Sequence, residues 1–326
     1  MNFSRRSTVL VSVLDWGLGH ASRTAVIVRT LLSRGCRVVL AGSGRSLALL
    51  ASEFQGLQVV SLPSFSPRLS GGRWLWAEVM AQTPVFLLSV LFEWWRTEAL
   101  VRRLAPDLVL SDNRYGVRSS RCRSVFVTHQ LSPMVSPSAP RWLNGLLAKC
   151  LGLLVGRFDA CLVPDFALGG LSGSLSYPSC IRIPLHRIGI LSRLAYVVPM
   201  PAGRVDWLGI TSGPQPQRRR FADSLIRRFE TLPGRRVVVC ADSAVDGHIA
   251  RGGVEVVGLA SPAMLKGLIL AAEHIVCRSG YSTLMDLAAL GRLDDSIELV
   301  PTPGQAEQVY LARRVKEIVA GEHLCI

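Results

Sequence analysis

His20 follows two glycines at the end of an apolar run, and that combination marks the first place in the chain where chemistry is expected. The stretch Leu14-Asp15-Trp16-Gly17-Leu18-Gly19-His20-Ala21-Ser22-Arg23 ends the run Val9 to Leu14 and opens the helix-like pattern of Ala21 to Ser33. This reads as a central strand, a tight turn and a helix start, a junction at which open α/β sheets bind ligands. A second stretch, Cys277-Arg278-Ser279-Gly280-Tyr281-Ser282-Thr283-Leu284-Met285-Asp286-Leu287, has small polar residues between a strand and a helix. Ser279 or Ser282 is predicted to cap that helix, whose free N–H groups would stabilise an anion such as a diphosphate. Asp286, about one turn in, would accept hydrogen bonds from ribose hydroxyls, against the plainer reading of a solvated acid on a capped helix. A third stretch, Pro301-Thr302-Pro303-Gly304-Gln305-Ala306-Glu307-Gln308, is a rigid loop whose Gln305, Glu307 and Gln308 suit sugar hydroxyls or serve as ordinary caps.

The elements that must position these residues alternate between strand-like and helix-like patterns, which predicts mainly parallel sheets. In the first half strands are expected at Val9 to Leu14, Arg37 to Ala41, Gln58 to Leu62, Asp107 to Ser111, Ser124 to Thr128, Ala160 to Val163 and Ile181 to Ile190. Helices are expected at Ala21 to Ser33, Arg45 to Glu53, Trp74 to Arg103 with a break near Pro84, and Arg141 to Gly156. The pattern restarts with strand Val205 to Thr211, a basic helix Gln217 to Glu230 and strand Arg236 to Cys240. Strand Val254 to Leu259, helix Ser261 to Ala272, strand His274 to Cys277, helix Ser282 to Leu290 and strand Ile297 to Pro301 complete it. The economical architecture is two Rossmann-like domains, residues 1–192 and 205–326, joined by a Pro/Gly-rich hinge at 193–204.

Composition agrees with two folded domains: 326 residues, 49% hydrophobic and 18% charged, with no low-complexity tract. The net charge of +14 is carried almost wholly by arginine, lysine occurring only at 149, 266 and 316. Guanidinium forks suit phosphate, although base composition of a genome gives the same bias. Eight cysteines stand singly, without a C-x-x-C pair or zinc spacing, as in a reducing compartment. The run after Arg5-Arg6 is too short for a signal peptide, and Pro84 to Phe92 and Leu151 to Val155 fall short of the ~20 residues of a membrane span. A cytoplasmic protein is expected.

Taken together, these stretches resemble GT-B glycosyltransferases of the family-28 type, and more closely a group of bacterial proteins that share the LDWGLGHASR, RSGYSTLMDL and VPTPGQAEQ motifs. Matching stretches at Ser111 to Gly116, Val127 to Leu131, Val163 to Phe166, Leu171 to Gly173 and Ser212 to Arg218 extend the resemblance from about Leu10 to about Leu311. It implies an α/β GT-B fold, two Rossmann-like domains with parallel sheets facing a central cleft. It also implies transfer of a hexose from a nucleotide-diphosphate sugar, a UDP-sugar, to an acceptor, with inversion. The resemblance puts the turn of Gly17, Gly19 and His20 on the acceptor side and Arg278, Ser279, Gly280, Ser282 and Thr283 against the donor diphosphate. Asp286 falls on the ribose-binding acid, and Gln305, Glu307 and Gln308 fall on the sugar. The peptidoglycan enzyme has a glutamate at the ribose position and Gln-Gln at the sugar pair. His129-Gln130 matches a family His-Glu-Gln segment without its acid. GT-B proteins commonly close with a helix crossing back to the first domain, and here only Ala306 to Val319 and a short tail follow the last loop.

Such a transfer needs a base for the acceptor hydroxyl, and His20 is the first candidate, with Asp15 and Asp112 in reserve. The alternative is a structural histidine bonded across the glycine turn. No D-x-D motif offers a metal site, and no cofactor or metal is expected. Asn113 and Arg114 would orient an acceptor or phosphate, or form an Asx turn with a solvated arginine. The loop at Gly213 would offer backbone contact or be a plain turn. Trp74, Trp76, Phe86, Trp94 and Trp95 with Arg96, Arg102 and Arg103 suit a peripheral contact with anionic membrane at the inner face and a lipid-linked acceptor, or simply a core. Nothing resembles a nucleic-acid module. Two other readings share the pattern: a nucleotide-sugar hydrolase or epimerase, and a non-catalytic sugar-nucleotide-binding protein.

Overall fold

The computed structural model describes residues 7–65, 75–132, 141–166, 170–177, 181–213, 215–241 and 248–321. The chain divides into two compact units, Met1–Leu191 with Pro303–Glu307, and Ser192–Thr302 with Gln308–Ile326.

In the first unit the elements run β1 (Thr8–Val13), α1 (Leu18–Ser33), β2 (Arg37–Gly42), α2 (Gly44–Glu53), β3 (Gln58–Ser61), α3 (Leu75–Leu104), β4 (Leu108–Asp112), β5 (Arg123–Val127), α4 (Arg141–Val155), β6 (Ala160–Val163) and β7 (Leu185–Arg187). All seven strands are parallel, in the order β3-β2-β1-β4-β5-β6-β7. β1 is central because its run of valines and leucine is buried on both faces, as parallel strands covered by helices on each side must be. Val9, Val11 and Val13 pack towards Ala25, Val28 and Leu31 of α1, while Leu10 packs with Val101 of α3 and Val109 of β4. Strand order reverses direction at β1 and β4, paired with Val13 opposite Asp112. Their carboxyl ends are therefore a topological switch point, where open α/β sheets bind ligands.

The second unit holds β8 (Val205–Ile210), α5 (Gln217–Phe229), β9 (Arg236–Val239), β10 (His248–Arg251), β11 (Val254–Val257), α6 (Pro262–Ala271), β12 (Ala272–Cys277), α7 (Tyr281–Ala289), β13 (Ile297–Leu299) and most of α8 (Ala306–Val319). Its strand order is β10-β11-β9-β8-β12-β13, with the reversal between β8 and β12. One core lies under α6 and another under α5.

Three expectations need correction. The break near Pro84 is absent: α3 runs unbroken through it. Pro84 and Met80, whose carbonyl its N–H would have met, lie on the exposed side of the helix, so the lost bond does not disrupt packing. Ile181 to Ile190 is a strand only at Leu185–Arg187, because Pro184 cannot donate and Gly189 turns the chain at φ 78°. The second sheet is not wholly parallel, since β10 returns antiparallel onto β11 through Gly252-Gly253, both at positive φ. In the 193–204 segment, Leu194 is buried in the second unit's core and Met200 donates its N–H to the Ala263 carbonyl.

Candidate functional site

The first unit gathers its charged groups where β1 and β4 end. Gly17 caps α1 at φ 101°, a conformation that favours glycine, and this starts the helix early enough to put His20 and Arg23 on one face beside Asp112. Asp112 is the last residue of β4 and is fully buried. Arg23 donates through Nε to both its oxygens, at 2.9 and 3.1 Å, and through Nη2 in a short contact to Oδ1. Thr24 Oγ1 adds a bond at 2.8 Å, and His20 Nδ1 lies 3.3 and 3.4 Å from the two oxygens. Burial would raise the Asp112 carboxyl, but Arg23 and His20 outweigh it and hold the group well below the usual carboxylate range. Burial, and then the Arg23 charge, lowers His20 despite Asp112.

His129, beyond the end of β5, joins the same cluster, with Nδ1 3.2 Å from Arg23 Nη1 and Nε2 2.9 Å from Glu307 Oε1. Burial would raise Glu307, but its bond to His129 and the neighbouring positive charges lower it. The acid missing from the His129-Gln130 segment is thus supplied from the 303–307 segment that belongs to this unit. Sequence reasoning passes over Arg23, whose signal was its place three residues after His20, one turn along the same helix.

Other first-unit residues sit elsewhere. The Asp15 carboxylate accepts the Ser46 N–H at 3.0 Å, at the start of α2. Asn113 holds a left-handed φ of 56° and donates its N–H to the Val127 carbonyl. Arg114 corrects the reading of a solvated or phosphate-facing arginine. It is 1% exposed and bonds Glu93 at 2.9 Å, Ser12 Oγ, and the Leu62 and Pro63 carbonyls, so it fastens α3 to the sheet. Gln130 donates its N–H to Thr128 Oγ1. Gly19 lies in the first turn of α1, and Gln305 in the 303–307 loop after Gly304 at φ 82°.

In the second unit β12 delivers the chain to α7, and here the capping expectation fails. Gly280 is the cap, and having no side chain it brings none to the first N–H groups of the helix. Ser279 is fully buried and its Oγ donates to the Gln308 carbonyl at 2.7 Å instead. Arg278 is likewise turned inward: Nη1 donates to the Val300 and Pro301 carbonyls at 3.1 and 2.9 Å, and its guanidinium stacks 3.8 Å over Phe221. These contacts tie the loop after β13 to β12. Ser282 and Thr283 are partly exposed in the first turn of α7. Asp286, one turn further, accepts the Ser192 hydroxyl at 2.5 Å. Burial raises its carboxyl to about 6, against that bond and the Arg193 charge. Gln308 accepts the Thr302 N–H through Oε1 at 2.8 Å, acting as a loop fastener. Gly213 turns at φ 93°, just past Thr211, and Pro214 lies outside the described residues. Thr211 carries no sequence signal: it is 2% exposed, follows β8 beside Arg278 by register, and its Oγ1 has no hydrogen-bond partner among the described residues.

The aromatic region divides. Phe86 packs edge-on to Phe65 and Tyr115, whereas Trp94 and Trp95 are exposed on α3 with Leu88, Leu91 and Arg96. Trp74 and the Trp76 side chain lie outside the described residues. No described helix is long and apolar enough to cross a membrane.

No family model matches the chain. It is 26% identical over 305 residues to the UDP-N-acetylglucosamine–N-acetylmuramyl-(pentapeptide) pyrophosphoryl-undecaprenol N-acetylglucosamine transferase of Methylobacterium sp. (strain 4-46), covering 89% of this chain and 76% of that one. Among solved structures it is similar to the glycotransferase of kitacinnamycin, with TM-score 0.65, 19% identity and coverage of 97% and 85% of the two chains. The spinosyn rhamnosyltransferase SpnG complexed with thymidine diphosphate matches with TM-score 0.60, 18% identity and coverage of 94% and 83%. Acinetobacter baumannii MurG matches with TM-score 0.54, 12% identity and coverage of 96% and 83%. Two α/β units with these strand orders, matched over nearly the whole chain, give the protein the GT-B fold of these glycosyltransferases.

Proposed function

We propose that this chain is a hexosyltransferase-type glycosyltransferase that moves a sugar from a UDP-sugar to an acceptor hydroxyl, with inversion and without a metal. The observation that carries the reading is the start of α7. Gly280 caps the helix without a side chain, Thr211 places a buried hydroxyl with no partner among the described residues at the neighbouring strand end, and Asp286 stands one turn along. A helix N-terminus of this kind favours a diphosphate, and a carboxylate so placed suits ribose hydroxyls. In the first unit, His20 beside Asp112 is the proposed base, deprotonating the acceptor hydroxyl as its oxygen attacks the anomeric carbon and the diphosphate departs. Support also comes from the Methylobacterium relative, whose name specifies a UDP-sugar donor and a pyrophosphoryl-undecaprenol acceptor.

A lipid-linked acceptor fits the exposed face of α3. Leu88, Leu91 and Trp95 are 66%, 60% and 62% exposed, with Arg96 next to them and Arg102 and Arg103 at the helix end. An apolar face edged by arginines is suited to the headgroup region of an anionic leaflet, which supports the reading of peripheral contact at the inner face of the membrane. Co-sedimentation with anionic vesicles at low salt, lost in Leu88→Ser/Trp95→Ser, is the expected result; no co-sedimentation of the unaltered protein removes this part of the reading.

The donor assignment is tested by thermal unfolding against UDP, GDP, dTDP, CMP and ADP. UDP at 100 times Kd should add about 2.7 kcal/mol of stability, and Asp286→Ala should abolish the gain. Stabilisation by none of them overturns the reading. Sugar appearing on an added hydroxyl acceptor supports transfer, whereas UDP release in water alone points to a hydrolase.

A further inference from the structure

A guanidinium carries five N–H donors and no acceptor. Arg23 shares them among three side chains at once: Asp112 through Nε and Nη2, His20 with Nη2 at 2.9 Å from Nδ1, and His129 with Nη1 at 3.2 Å from Nδ1. A neutral imidazole nitrogen meets a donor-only group through its lone pair, so the proton of each ring sits at Nε2. The far end of His129 agrees, because its Nε2 lies 2.9 Å from Glu307 Oε1, and a carboxylate only accepts. For His20 the carboxylate of Asp112 competes for the same Nδ1, but from 3.3 and 3.4 Å.

Resting on the reading that this cluster serves the acceptor hydroxyl, we propose that Arg23 is a positioning residue that holds His20 and His129 in the Nε2–H tautomer. In that state His20 offers a hydrogen-bond donor. It becomes a base when Nδ1 exchanges Arg23 for Asp112. The exchange balances: Nε2 releases its proton to water, Nδ1 takes one from water, keeps it and hydrogen-bonds through it to Asp112, and the ring stays neutral. The bare Nε2 then accepts the proton of the acceptor hydroxyl. Arg23 is 2% exposed, so the contact is held in place by packing and is not a passing pose of a surface side chain.

The test is a two-bond proton–nitrogen correlation spectrum of the full chain labelled at its six histidines, recorded without donor or acceptor. His20→Gln and His129→Gln assign the signals. The expected spectrum shows both rings protonated at Nε2 and bare at Nδ1. Arg23→Lys keeps the charge but loses the fork, and should move His20 to the Nδ1–H form. An Nδ1–H on His20 in the unaltered protein overturns the proposal, as does a tautomer unchanged in a folded Arg23→Lys. Should that variant not melt cooperatively, the unaltered protein's spectrum decides alone. Because no substrate is present, a failure of sugar transfer would leave this result standing, and a wrong tautomer would leave the donor reading standing.

Discussion

The two strand-end sites differ in how far they satisfy themselves. In the first unit, Asp112 accepts from Arg23 and Thr24, and Arg23 in turn reaches both histidines, so the buried charges there are met within the protein. In the second unit α7 is capped by Gly280, which has no side chain, Thr211 Oγ1 lacks a partner among the described residues, and Asp286 is shifted towards its neutral form. The first arrangement keeps charged groups aligned before anything binds. The second leaves polar groups under-satisfied, a debt that a ligand can settle. Charge neutralised internally should therefore be costly to break, whereas under-satisfied groups should be cheap to remove and decisive for binding.

The largest expected effect breaks the first site. Asp112→Asn leaves the Arg23 guanidinium buried without its carboxylate, which costs about 3–5 kcal/mol. Urea unfolding should show that loss, while Asp286→Asn in the second unit holds or raises the midpoint at pH 7. Equal losses for the two variants would erase the contrast drawn between the sites.

The next effect is the opposite pH dependence of the two carboxylates. Asp286 is raised from 3.8 to about 6, so its contribution to stability is fully present below pH 3.8 and is lost as pH rises through about 6. About two units correspond to at most ~3 kcal/mol. Asp112 is lowered, so its contribution is present above its ordinary value near 3.8 and disappears only in strong acid. Unfolding free energies of the unaltered protein and Asp286→Asn, measured from pH 4 to 8, should diverge as pH rises to about 6 and run level above it, the variant becoming relatively more stable. Ribose hydroxyls favour the charged carboxylate, so UDP affinity should also climb through about pH 6. A difference curve flat with pH would mean that Asp286 is not desolvated.

These contrasts also explain what could be read from the sequence. The strands were legible because parallel strands are apolar on both faces, and the turns at Gly17 and Gly280 because small residues break such runs at the carboxyl ends where ligands bind. Roles of arginines were not legible. Arg114, Arg278 and Arg23 look alike in sequence, yet each is turned inward to a different set of carbonyls and carboxylates set by distant elements. Ser279 misled for a related reason, since a cap is predicted from local spacing whereas its hydroxyl found the Gln308 carbonyl 29 residues away. Thr211 carried no motif at all, and its signal is a missing partner, which only the packed structure defines.

Thr211 therefore gives the smallest and most discriminating prediction. A buried hydroxyl with no partner costs the fold roughly 1–3 kcal/mol of desolvation, and among the described residues none offsets it. Thr211→Val keeps the branched shape at the end of β8 and removes the oxygen, so the unliganded protein should gain stability, by about 1 kcal/mol after imperfect repacking. If the hydroxyl is the ligand's contact, the same substitution should shrink the stabilisation by UDP, and the two effects should be opposite in sign within one melting experiment. A variant that loses stability without ligand has lost a bond that Oγ1 was making. One that gains stability and responds fully to UDP has a hydroxyl that serves neither the fold nor the donor, and the comparison between the two sites would then rest on Asp286 and the α7 N-terminus alone.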